Sequence, residues 1–61
     1  MIKVGSIVAV LGVHIIVRER LYDNDGWLRV ITGELIEEAP GYSHWQNFDP
    51  TEVAVTVMTV H

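Results

Sequence analysis

The chain has 61 residues, no cysteine, a hydrophobic share of 49% and a formal net charge of -4 from four Lys+Arg against eight Asp+Glu. That length reads as one small domain, residues 1–61, and excludes a two-domain enzyme or a large cofactor-binding fold. The missing cysteine excludes disulfides and zinc–thiolate centres, and the acidic balance opposes a general nucleic-acid binder because it repels phosphate. A core this small calls for tight packing or self-association.

Taken in chain order, Val4 to Val17 is nearly free of charge and follows Lys3, the order of a signal-peptide start. It is too short to span a bilayer, and Gly12 and His14 interrupt it. It reads instead as two buried strands, Ser6 to Leu11 and Val13 to Tyr22, joined at Leu11-Gly12. No membrane association and cytoplasmic residence are the expectation. Ten Val, six Ile and four Thr against seven Ala and Leu lean the whole chain to strand. Asp23-Asn24-Asp25-Gly26 is a hairpin turn signal, since these residue types accept positive φ. Trp27 to Thr32 and Gly33 to Glu38 follow as two further strands, with Gly33 marking a bulge or sharp bend between them. Glu38 to Pro50, with Pro40-Gly41, Tyr42, His44, Trp45 and Asn47 and no apolar period, reads as a long surface loop. Asp49-Pro50-Thr51-Glu52 reads as one helical turn capped by Asp49. The last strand runs from Val53 to Val60, and His61 is terminal and frayed.

Five short strands, one long loop and one helical turn before the last strand give the order of a small all-β barrel. Gly5-x-x-Val8-x-Val10 looks like the opening strand of SH3-like barrels. Asp25-Gly26-Trp27-Leu28, then Thr32-Gly33-Glu34, then Pro50-Thr51-Glu52-Val53, resembles the distal half of SH3 domains in order. The resemblance implies a five-stranded SH3-like barrel and implies that Trp27 is a groove residue. The groove motif is incomplete, because Val53 stands where that family has a tyrosine.

Chemistry-bearing residues are sparse. His14, His44 and His61 do not pair at metal-ligand spacing. The Asp23–Gly26 turn is too short to wrap calcium, and Glu34, Glu37, Glu38 and Glu52 read as a solvated acidic edge. No nucleophile elbow or phosphate loop is present. No cofactor or metal is expected, and the chain is not expected to be an enzyme. Arginine gives the sharper signal. With a two-residue turn at Asn24-Asp25, Tyr22 pairs with Trp27 and Arg20 with Arg29, so Tyr22, Trp27, Arg18, Arg20 and Arg29 form one outward strip. Aromatic rings beside guanidinium groups suit partner contact. His44 and Trp45 on the long loop join the list of partner-binding candidates.

The same register points Val13, Ile15, Val17, Leu21, Leu28 and Val30 inward. It leaves Ile7, Ile16 and Ile31 on the outside as a homo-oligomer interface. The functional expectation is a non-catalytic protein-binding or assembly module that self-associates, of a phage or mobile-element type. Its partner is protein or a second copy rather than nucleic acid. Two alternatives stay open: a nucleic-acid-associated barrel using the arginine–aromatic strip, and a small oligomeric enzyme with its site at a symmetry axis.

Overall fold

Valine and isoleucine at every second position between residues 8 and 17 bury one side of the first hairpin, and that alternation starts the sheet. The computed structural model describes residues 2–59. It contains β1 (Ile7–Val10), β2 (Val13–Tyr22), β3 (Leu28–Leu35), β4 (Trp45–Phe48) and β5 (Val55–Thr59), with no helix among the described residues. Every pairing is antiparallel, and the order across the sheet is β4-β3-β2-β1-β5. β1 and β2 join through a two-residue turn between Val10 and Val13. Leu11 and Gly12 carry φ of 54° and 82°, the pair of positive angles that matches strand twist in a tight hairpin.

β3 is one continuous strand where the sequence suggested two. Gly33 sits inside it because β2 comes very close at that point. A Cβ on Gly33 would lie 2.6 Å from the Ile16 carbonyl oxygen and 2.7 Å from Ile15 Cδ1. The fifth strand is recovered from the segment read as a loop. Trp45–Phe48 pairs with β3, Ile31 opposite Phe48 and Glu34 opposite Trp45. Its Trp and Phe favour strands, but Gln-Asn between them leaves only a four-residue run, and the ladder to β3 holds it extended. The expected last residues of β5, at Val60, and the expected fraying of His61 fall outside the described residues.

Two expectations about architecture change. The barrel is not closed: β4 and β5 form the two edges of the sheet and do not pair with each other. Between them the chain spends residues 49–52 on a turn, and Val53 packs against the core on that side in place of a ladder. The expected helical turn is a single hydrogen-bonded turn, closed by Glu52 N–H donating to the Asp49 carbonyl at 3.0 Å. The Asp49 carboxylate still accepts from the Thr51 N–H, at 2.8 Å, and from its hydroxyl.

The core consists of Val8, Val10, Val13, Ile15, Val17, Ile31 and Phe48, with Ile2, Leu28, Leu35, Ala39, Val53 and Val55 packed around it. Ile31 was expected outside and is fully buried, while Leu21 was expected inside and is exposed. Two bulges explain both reversals. Val17 pairs with Gly33 and Glu19 with Thr32, so Arg18 is an extra residue on β2. Leu21 pairs with Val30 and Tyr22 with Leu28, so Arg29 is an extra residue on β3. Each extra residue flips the face of everything beyond it. Ile31→Ala should therefore cost about 2–5 kcal/mol, and Val30→Ala, on the outer face, markedly less. Denaturant midpoints of the two variants check this order, and the reverse order would restore the uninterrupted register.

Gly33→Ala tests the close approach separately. Its new methyl meets backbone, which cannot swing aside as a side chain can. The variant should lose about 1–3 kcal/mol, seen as a thermal midpoint lowered by roughly 4–8 °C per kcal/mol for a chain of this size.

Candidate functional site

The hairpin end between β2 and β3 is organised by one carboxylate. Asp23 accepts the N–H groups of Asp25 and Trp27 at 2.9 and 3.0 Å through one oxygen, and Arg29 Nε at 2.8 Å through the other. Asp23 N–H donates to the Trp27 carbonyl, and Gly26, at φ 83°, donates to the Asp23 carbonyl. These bonds make a five-residue loop, Asp23 to Trp27, in place of the expected two-residue turn. The ring of Trp27 projects from this loop at 66% exposure, and Tyr22 beside it is 53% exposed.

The expected arginine strip is not formed. Arg20 lies opposite the buried Ile31 rather than opposite Arg29, so it belongs to the core side of the sheet. Its guanidinium donates to the Ile2 carbonyl at 3.0 Å and stands 6.0 Å from the centre of the Tyr22 ring. Arg18 bonds Glu34 across β3, and Arg29 is held by Asp23. Each of the three arginines thus has a partner within the chain.

His44 and Trp45 form a second cluster on the outer face. The ring of His44 donates to Glu34 Oε1 at 3.0 Å and meets Trp45 edge-on, with ring centres 5.9 Å apart. Trp45 is 51% exposed and does not fold back over the core. Phe48 at the other end of β4 is the aromatic that fills the interior. Six β2 positions separate the Tyr22 row from the Ile16–Glu34–Trp45 row, roughly 20 Å of strand. The six partner-binding candidates therefore make two surfaces. Arg20, Tyr22, Trp27 and Arg29 share the hairpin end, while His44 and Trp45 sit apart.

Ile7 and Ile16 pair with each other on the outer face, both half-buried, whereas Ile31 is in the core and leaves that set. The segment from Ile36 to His44 is strapped across the other end of the sheet. His14 donates through both its backbone N–H, at 2.7 Å, and its ring, at 3.0 Å, to Glu37. The Tyr42 hydroxyl donates to the Leu11 carbonyl at 2.8 Å. These roles of Asp23, Glu37 and Tyr42 were not read from the sequence. Only the position of Asp23 at the head of a turn gave a local signal, and the other two depend on long-range placement.

Among the described residues no group of three or more His, Asp or Glu is arranged to hold a metal ion, and no helix is long and apolar enough to cross a membrane. No protein-family model matches the chain, and comparisons with curated proteins and with solved structures gave no match.

Four carboxyl groups are held below their ordinary range. The His44 ring and then Arg18 do this for Glu34, the His14 backbone N–H and then its ring for Glu37, Arg29 and then the Trp27 N–H for Asp23, and Thr51 for Asp49. A carboxyl whose folded value is depressed contributes stability that is complete above its unfolded value and lost as pH falls through the folded one. Glu37 is exposed and the other three are half-buried at the surface, so solvent screens each contribution. The denaturant midpoint should be level near neutrality and fall below about pH 4. Glu37→Gln should flatten part of that fall, and a midpoint that rises below about pH 4 would contradict these carboxylate contacts.

Proposed function

We propose that this chain is a non-catalytic protein-contact and assembly module with an SH3-like strand arrangement, and that the hairpin end is its principal contact surface. The observation that carries the reading is the exposure of Trp27, on a loop tied down by Asp23, and of Tyr22 at the adjoining end of β2, with Arg20 and Arg29 on the flanking strands. Tryptophan, tyrosine and arginine are the residue types that dominate protein–protein binding energy, and a loop already fixed in shape loses little entropy on binding. The strand order β4-β3-β2-β1-β5, with the long β2 shared between β1 and β3, supports the SH3-like part of the reading.

The arginine pairing favours protein over nucleic acid as the partner. Arg18 and Arg29 are each paired with a carboxylate, and Arg20 is spent on a backbone carbonyl and the Tyr22 ring. Little uncompensated positive charge is left to release counterions from a phosphate backbone.

A displayed library of random peptides, selected on the immobilised chain, tests the proposal. Peptides should be enriched, and the affinity of the best should fall about tenfold or more on Trp27→Ala. The domain should stay folded, because that side chain packs on little. A selection that enriches nothing overturns the reading. A single-stranded oligonucleotide that binds in the micromolar range, with a log–log salt slope of about -2 that disappears with Arg20→Ala and Arg29→Ala, replaces it with the nucleic-acid reading.

A further inference from the structure

We infer that β5 is the edge through which two copies of this chain pair, antiparallel, about a two-fold axis at Thr56. The inference rests on the self-association part of the proposed reading and gives it a surface.

Of the two edges, β4 is poorly suited to take a further strand. It has four residues, begins beside His44 and ends at Asp49-Pro50. Shortness, charge and proline are the usual devices that keep an edge from pairing. β5, only one residue longer, lacks the charge and the proline. From Val53 to Thr59 there is no charged residue, no proline and no glycine. Its main-chain groups on the side away from β1 meet no other strand among the described residues. In a chain with a net charge of -4, two copies repel in general. Along β5 they approach without bringing like charges together.

Register selects the axis. β5 pairs regularly with β1 from Val55 to Val57, and the irregularity between Ile7 and Val8 leaves Met58 without a partner. Thr56 is the centre of the regular part. A two-fold there sets Thr56 against Thr56 of the second copy, and Val55 against Val57 in both directions. Val55 and Val57 are the cross-strand partners of Val10 and Val8, both in the core. The apolar rows Val10–Val55 and Val8–Val57 would thus run on into the second copy instead of stopping at a valine 37% exposed. β-branched cross-strand pairs and a Thr–Thr pair are favourable in such ladders. The isologous contact closes after two copies, so the bare edge does not propagate into a fibre. The contact is small, which places it among weak, concentration-dependent associations.

Charge exchange at Thr56 tests the axis, because the residue is exposed and the substitution leaves the core untouched. Solution mass by sedimentation equilibrium, from about 10 µM to about 1 mM, should rise from one chain to two for the wild type. Thr56→Lys and Thr56→Glu should each weaken association at least tenfold, since like charges then face each other across the axis. Mixing the two variants should restore the two-chain mass, which a folding defect cannot do. A wild type that remains one chain at 1 mM overturns both this inference and self-association, while leaving the peptide-binding test to decide the hairpin end. A dimer unaffected by either variant, or a mixture that stays monomeric, overturns the β5 axis alone.

Discussion

The close approach of β2 and β3 at Gly33 is the constraint on which much of this small sheet depends. A hydrogen in place of a Cβ lets the Ile16 carbonyl and the Ile15 side chain of β2 sit against β3 where any other residue would collide with them. Immediately beyond this point Arg18 is extruded as a bulge, and the pairing resumes one residue out of step. Ile31, two residues from Gly33 on the unbroken part of β3, shares its buried face, and Phe48 of β4 lies opposite it. The interior is therefore assembled from β1, the first half of β2, the middle of β3 and the end of β4. Fully burying an Ile31-sized side chain stabilises the fold by about 1.5–3 kcal/mol, a large share of what a domain of this size can spare.

Both bulged residues are arginines, and both are neutralised by carboxylates of the chain itself, Arg18 by Glu34 and Arg29 by Asp23. A bulge leaves its side chain without a cross-strand neighbour, so a long charged side chain can reach sideways to a partner rather than stack in the ladder. The result is that the charge of both bulged arginines is balanced where it stands, and several large rings remain exposed. Trp27 and Tyr22 lie at the hairpin end and Trp45 on the outer face. Single exposed apolar residues are ordinary on small proteins. One large ring on a loop fixed by a carboxylate, with a second ring and a guanidinium at the adjoining strand end, forms a more specific arrangement, and the functional reading rests there.

The order β4-β3-β2-β1-β5 also separates the roles of the two edges. The β4 edge is blunted by its flanking Asp49 and Pro50, whereas the β5 edge is uncharged. In a sheet that does not close on itself, edges are interaction surfaces by construction, and the contrast between them confines where a second copy can add.

The sequence by itself determined the strand class, the Leu11-Gly12 hairpin, the bounds of β2 and the outer-face position of Ile7 and Ile16. Each follows from local chemistry: β-branched content, positive φ at a two-residue turn, or strict alternation before any bulge intervenes. Only the tertiary structure decided the face of Ile31 and Leu21, the existence of β4, the open edges and the pairing of the three arginines. The physical reason is that alternation carries a period of two and no memory of its phase. One inserted residue at Arg18 or Arg29 reverses every side chain that follows. What fixes those insertions is the approach at Gly33 and the grip of Asp23 on its loop, contacts that no window of neighbouring residues contains.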